Sequence, residues 1–542
     1  MSRSVGVVVC PQPVAAEAGV AILEGGGNAV DAAIAVAFLQ MVLDPPMAGL
    51  GGFGTMLYRG REGGTVSALD FPSHAGGATH PDQWLDKAGE ALPDRFGYAV
   101  EGLINDVGYQ SVGVPGVVAG LGTAHEAWGS MPWAKLLDPA IRASHDGVAV
   151  TKSARDFWLE DGIPGRASGF ERMTATPASA EIFAPTGELL RAGDLMRQPD
   201  MGRTLEHLAD RGFGSFYEGE IAAAIVDDFA ANGGHVTRED LAGYRAQMRD
   251  PLRTGYRDWT VFSAPPPSGG QMVAQALRLL ERFDLAATRA GTYEVVSLLV
   301  EAMKYGIHGR MEVGPHAEDG ALERILDPAT AEEFVRTVAG GGKIEVDPMP
   351  AYEASTTTQV TVIDQDGTIV SLTHSLGYGS GVVTPGLGFL YNNYMNVFNP
   401  YPGHPDSIRP GARRWSGMSP TIVLDSGGDP VAALGAPGAT RITSAVLQST
   451  VNYLDFGMTP VEAVSAPRVD CQGATVEVEN RIEGRVTDAL EEAGYEVNRR
   501  DQNYDPYFAR PQMIAKVDGE WRGASDPRRD GGIARYEAVK GS

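Results

Sequence analysis

Only two cysteines occur in 542 residues, Cys10 and Cys471, and neither belongs to a C-x-x-C pair. A disulfide framework is therefore excluded, and a thiolate zinc site has no ligands to build it. A lone bridge between the two stays open at this level. Basic residues are scarce as well: 44 Lys and Arg stand against 69 Asp and Glu, for a net charge of −25. Such a surface lacks the clustered cations that displace counterions from a nucleic-acid backbone, so no nucleic-acid partner is expected. No apolar run reaches the roughly 18 residues of a membrane-spanning helix. The opening MSRSVGVVVCPQP has one Arg and an apolar run of about six residues before Pro11, shorter than the core of a signal peptide. A cytoplasmic protein without membrane contact is expected.

What is present is ordinary globular composition, 43% hydrophobic and 21% charged. The length suits several small domains or one large layered domain with insertions. VGVVVC reads as a buried strand. PVAAEAGVAILEGGGNAVDAAIAVAFLQMVLDP reads as two helices separated by Gly25, Gly26 and Gly27, with Asn28 and Asp31 placed as a capping box and Pro45 as a stop. TMLYR and VSALDF look like strands. Helices are expected over Asp200 to Arg211 and Ile221 to Asn232. Val338 to Ser355, with three consecutive glycines and two prolines, is the best candidate for a flexible linker.

Beyond it the texture becomes strand and turn. TTQVTVID and TIVSLTHS are period-2 runs joined by QDG, a hairpin signal. PTIVLD and PVAALGAP form a second pair across SGGD, and a helix over Arg441 to Phe456 follows. Two glycine motifs mislead. GLGGFG, Gly49 to Gly54, has the spacing of a dinucleotide fingerprint but lies between a helix and a strand, the reverse of the order pyrophosphate binding needs. AGGGK lacks the P-loop spacing. No nucleotide, metal or other cofactor is expected.

The three threonines Thr356, Thr357 and Thr358 raise the chemical question. Threonine suits a pleated, half-buried strand, and by itself that explains them. Alternatively, one hydroxyl is a nucleophile that becomes a new N-terminus, so that its own α-amine serves as general base. A free α-amine titrates near pH 8 and lies within reach of its own Oγ.

Several stretches together resemble the γ-glutamyltransferase family of N-terminal-nucleophile (Ntn) hydrolases: PQPVAAEAGVAILEGGGNAVDAA, GLGGFGTMLY, GVPGVVAGL, FYEGEIAAAI with NGGHVTREDLAGYRA, APPPSGG, TTQVTVIDQDGTIVSLT, GSGVVTPGLGFLYNN, MSPTIV and GAPGATRI. They run in the family's order along nearly the whole chain. The resemblance implies a four-layer αββα sandwich, made as a precursor that cuts itself between Thr356 and Thr357. Residues 1–356 become a large subunit and residues 357–542 a small one, and the two stay together as a heterodimer acting on a small-molecule substrate. It also implies Thr357 as nucleophile, Gly438 and Ala439 as backbone donors to the oxyanion, and Ser375 as the hydroxyl that holds the nucleophile's amine, with Thr358 and Asn393 orienting the site.

The substrate pocket departs from the family pattern. Pro72 stands where an Arg binds the glutamyl α-carboxylate, and Tyr394 and Val397 replace the Gln and Asp that bind the α-amine. Of the serine pair before MSPT only Ser416 remains, followed by Gly417. Each lost charge-assisted hydrogen bond costs on the order of 1.5–3 kcal/mol, so glutathione turnover is expected to be weak. Arg414 replaces a Pro and is read as a surface or ion-paired residue, with a substrate carboxylate as the alternative; Arg413 and Arg441 fit ordinary family positions. A self-processing Thr hydrolase that passes a small acyl group to water, or less often to an amine, follows. Natural-product biosynthesis or small-amide catabolism is the expected setting. Ordinary γ-glutamyl transfer, cleavage of a carbon to carbon bond beside a keto acid, and a catalytically silent binding or scaffold protein are the alternatives.

Overall fold

The computed structural model describes residues 3–61, 64–92, 97–314, 320–346 and 356–539. The first strand, β1 (Arg3–Cys10), is followed by helices α1 (Pro13–Glu24) and α2 (Ala29–Leu43). Asn28 accepts from Val30 and Asp31 amides while Asp31 accepts from the Asn28 amide, so the capping box forms at the expected residues. Then come β2 (Phe53–Arg59), β3 (Val66–Phe71), β4 (Gln247–Arg249), β5 (Leu252–Tyr256) and β6 (Trp259–Ser263). Helices α3 (Gly270–Leu280) and α4 (Tyr293–Val313) precede the hairpin β7 (Thr358–Ile363) and β8 (Ile369–Ser375). A second hairpin, β9 (Thr421–Leu424) and β10 (Pro430–Gly435), leads into α5 (Ile442–Leu454). Strands β11 (Gln512–Val517), β12 (Glu520–Ser525) and β13 (Gly532–Val539) close the chain.

Two sheets result. The larger runs β13-β1-β7-β8-β2-β3-β4 and the smaller β12-β11-β10-β9-β6-β5. Strand periodicity sets the layers: Val7 and Val9 of β1 point between the sheets, against Ile422, Ala433 and Ile514, whereas Val8 and Cys10 point into the core under α1 and α2. Helices α3, α4 and α5 cover the smaller sheet. This is the four-layer αββα arrangement. Cys10 and Cys471 are both buried and free, in different cores, so no bridge joins them.

The linker expectation changes at its start. Val338 lies in the last turn of a helix over Pro328–Ala339, which stops at the first glycine, Gly340; residues 347–355 lie outside the described residues. No helix among the described residues is long and apolar enough to cross a membrane.

Candidate active site

Thr357 sits at the mouth of β7 with φ of +96°, in a region that a β-branched side chain enters only under constraint. Such a residue stores about 1–3 kcal/mol of backbone strain. Thr356 and Thr357 are only 2% and 6% exposed, so the bond joining them is buried in the described chain rather than carried on an exposed loop. The Thr357 Oγ1 lies 3.0 Å from the Ser375 Oγ at the end of β8. Ser375 in turn accepts from the Gly377 amide at 2.8 Å, which fixes its rotamer. Ser375 thus meets the hydroxyl of Thr357 in the uncut chain.

Thr358 points the other way, into α2. Its Oγ1 accepts from Gln40 Nε2 at 2.7 Å, and Gln40 Oε1 lies 2.9 Å from His374 Nε2. Burial pushes His374 down to about 3, so the imidazole is neutral and its Nε2–H donates to the Gln40 carbonyl. Gln40 and His374 therefore anchor both strands of the hairpin, with the imidazole uncharged at neutral pH. Sequence reasoning missed them; the signal was a glutamine inside the otherwise apolar AIAVAFLQMVL.

The glycines of GLGGFG have a packing role. A Cβ on Gly51 would fall 2.6 Å from Tyr391 Cα, and one on Gly52 would fall 2.6 Å from the Ser375 carbonyl oxygen. Only bare backbone lets this segment pass beside the serine. Asn393 secures the loop beyond it: its Oδ1 accepts from the Tyr378 amide at 2.8 Å, and its Nδ2 donates to Asp106 Oδ1 at 3.1 Å. Asp106 is fully buried with Arg172 at 2.6 Å and Arg166 at 3.5 Å. Burial raises its pKa, but the two guanidinium groups outweigh this and hold it below the usual carboxylate range.

The turn Gly438–Ala439 is left-handed, with φ of +149° and +52°, and Arg441 N–H donates to the Gly438 carbonyl at 3.1 Å. Ala439 borders the same small cavity as Thr357; Gly438 packs behind it against Ala509. Gly417 has no side chain because a Cβ there would collide with the Ala439 carbonyl.

That cavity, about 50 Å³, is bordered by Thr356, Thr357, Ser375, Arg414, Ser416 and Gly417 among others. Arg414 is buried, not solvated. Its guanidinium stacks 4.5 Å from the Tyr394 ring and 5.6 Å from that of Phe53, and donates to the Trp415 carbonyl at 3.2 Å. Its Nε has no partner, and among the described residues no carboxylate lies within ion-pair distance. Burial lowers its pKa to about 10, so it is charged at neutral pH. Arg310 also borders the cavity, and among the described residues no Asp or Glu does. Pro72, Tyr394 and Val397 stand outside it. The Pro72 carbonyl accepts from Tyr244, Tyr394 accepts from the Arg414 amide at 3.0 Å, and Val397 faces Gly97; Asn396 borders the cavity instead.

Comparison with known proteins places this geometry. The family model described as Gamma-glutamyltranspeptidase matches residues 15–536. A glutathione hydrolase proenzyme of Escherichia coli is 34% identical over 96% of this chain and 90% of its own length. An Acylase ACY 1 proenzyme of Pseudomonas sp. (strain V22) is 35% identical over 97% of this chain and 92% of its own. The crystal structure of a cephalosporin acylase from Bacillus halodurans superposes with a TM-score of 0.86 at 28% identity, covering 98% of this chain and 96% of that one. With likeness in sequence and in fold running from end to end, this chain belongs to the gamma-glutamyltranspeptidase family and is an Ntn-hydrolase enzyme.

Proposed function

We propose that the protein is a self-processing Thr acylase that hydrolyses amides of a small acyl group bearing a carboxylate but no α-ammonium. The observation that carries this is Arg414, a buried cation without a carboxylate partner beside the candidate nucleophile. A buried charge in that state is costly until an anion meets it. The two arginines repel an ammonium group, and no Asp or Glu among the described residues bordering the cavity attracts one, which matches the residues at 72, 394 and 397. The γ-glutamyl group without its amine is glutaryl, the simplest acyl group of this description. Relatives named acylases, alongside the glutathione hydrolases, support the reading.

Maturation uses the same atoms. Thr357 Oγ adds to the Thr356 carbonyl, the peptide C–N bond breaks with the hydroxyl proton passing to nitrogen, and strain at φ of +96° is released. Water then resolves the ester and leaves Thr357 with a free amine. In turnover that amine takes the Oγ proton as Oγ bonds to the substrate carbonyl, and the amide N leaves protonated. Backbone amides of the Gly438–Ala439 turn receive the oxyanion. Ser375 holds the Oγ, then the new amine.

The test compares glutaryl-4-nitroanilide with γ-glutamyl-4-nitroanilide on the purified enzyme. A kcat/KM at least tenfold higher for the glutaryl compound is expected. A preference for the γ-glutamyl compound overturns the reading in favour of ordinary γ-glutamyl hydrolysis.

A further inference from the structure

Gln40 is the only polar side chain of α2 apart from Asp31 in its cap, and it is fully buried. A carboxamide in that position is costly unless its donors and its acceptor are met, and those of Gln40 are. Its Nε2 donates to Gln12 Oε1 and to Thr358 Oγ1, both at 2.7 Å, and its Oε1 accepts from His374 Nε2 at 2.9 Å. Gln12 is held in turn, because its Nε2 donates to Asp44 Oδ2 at 3.3 Å while the Asp44 amide donates to the Gln40 carbonyl at 2.9 Å. This closed circuit fixes the carboxamide against both strands of the hairpin.

The two residues bridged by Gln40 are the chain neighbours of the candidate reacting pair. Thr358 and His374 face each other across β7 and β8, and one step along the same register Thr357 meets Ser375, with 3.0 Å between their hydroxyl oxygens. A φ of +96° at Thr357 persists only while the chain is held on both sides of that residue. On one side Thr356 is buried. On the other side Thr358 is held by its hydroxyl bond to Gln40 and by its pairing with His374, which Gln40 also bonds. Once the bond between Thr356 and Thr357 is broken, that torsion ceases to constrain the chain. The hold therefore matters more before the cut than after it.

Resting on the self-processing reading, we infer that Gln40 is a positioning residue for self-cleavage: by bridging Thr358 and His374 it keeps Thr357 in its left-handed conformation and its hydroxyl in place to add to the Thr356 carbonyl. Gln40 touches no reacting atom and acts through Thr358. Its loss lets the end of β7 relax toward ordinary strand geometry, which lowers the fraction of chains poised to cut. The mature enzyme, in which Thr357 begins a chain, depends on it less.

Cell-free synthesis of the full chain with a labelled pulse gives the first-order rate at which one band becomes two on a denaturing gel. Gln40→Met, similar in volume but without the three hydrogen bonds, should cleave about tenfold or more slower than wild type. Thr358→Val, which keeps the β-branched shape and loses the hydroxyl, should slow cleavage by a similar factor, whereas Thr358→Ser should restore most of the rate. The double variant Gln40→Met/Thr358→Val should be slower than either single by no more than about threefold, because both remove the same bond. Turnover is measured on the cleaved form, with whichever of glutaryl-4-nitroanilide and γ-glutamyl-4-nitroanilide the wild type hydrolyses faster. There kcat of Gln40→Met should fall by about threefold or less. Cleavage of Gln40→Met and Thr358→Val within about threefold of wild type, multiplied slowing in the double variant, or a loss of kcat as large as the loss of cleavage rate overturns the inference. If Gln40→Met does not fold, the Thr358 pair decides alone, and equal rates for Val and Ser overturn it. A wild-type chain that stays whole instead removes the self-processing reading itself, an outcome visible before any variant is compared.

Discussion

Replacing Arg414 with methionine keeps an unbranched stem against Phe53 and Tyr394 while removing the charge. The Tyr394 hydroxyl bonds to the backbone amide of residue 414, so that contact survives the substitution. At an effective dielectric of about 20, a carboxylate 4 Å from the guanidinium gains about 4 kcal/mol, part of which desolvation of both ions cancels. One charge-assisted hydrogen bond of about 1.5–3 kcal/mol is the working figure, or roughly 10–150-fold in rate. The assay measures kcat/KM for glutaryl-4-nitroanilide and pentanoyl-4-nitroanilide, which share length and leaving group and differ in the terminal carboxylate. The glutaryl to pentanoyl ratio should fall about 10–150-fold in Arg414→Met. Wild-type turnover of the glutaryl compound should rise with pH as the Thr357 amine deprotonates near about 8 and fall as Arg414 loses its proton at about 10, a fall absent for the pentanoyl compound. A ratio in the variant within threefold of wild type refutes the assignment of Arg414 to the substrate carboxylate.

Thr357→Ala should leave a folded, uncut, inactive chain on a denaturing gel, whereas Thr356→Ala should still yield two pieces, the smaller beginning Thr-Thr-Gln-Val; the opposite pattern moves the cut by one residue. Asp106→Asn should cost on the order of 3–5 kcal/mol in urea unfolding, because Arg166 and Arg172 lose their shared buried counter-ion; a cost below about 1 kcal/mol contradicts the account. His374 should make folding acid-sensitive. Its imidazole takes a proton near 6.5 unfolded but only at about 3 folded, so the unfolded state binds more protons between these values. Stability should fall by about 1.4 kcal/mol per pH unit below 6.5, and His374→Gln should flatten that slope.

The layers were legible because they depend on local period: the alternation in VGVVVC and TTQVTVID, the Asn28–Asp31 cap and the QDG turn each carry their own physical cause. Ser375 is paired with Thr357 through the family resemblance, and the structure brings their hydroxyls to 3.0 Å at the open end of one hairpin. What stayed hidden were contacts made across the chain. Gln40 reaches Thr358 over 318 residues and His374 over 334, distances at which no spacing rule operates. From the sequence Arg414 reads as a surface or ion-paired residue, with a substrate carboxylate as the alternative; its burial depends on contacts with Phe53 and Tyr394 that no local pattern signals, and an arginine is seldom buried without a partner. The resemblance puts Pro72 and Val397 in the pocket by position in the chain alone, and in the Tyr394–Val397 turn it is Asn396 that borders the cavity.

The strand order of the larger sheet has a consequence for a chain opened between Thr356 and Thr357. Strands β13, β7 and β8 would then belong to one piece and β1, β2, β3 and β4 to the other, interleaved so that the pieces meet at β13–β1, β1–β7 and β8–β2, with a fourth seam at β6–β9 in the smaller sheet. Neither piece keeps an intact large sheet by itself, so separating them is the same event as unfolding them. The cut converts a unimolecular folding reaction into a bimolecular one. Denatured, cleaved enzyme should regain activity in proportion to the concentration of both pieces, whereas the uncut Thr357→Ala chain should refold at a rate independent of dilution.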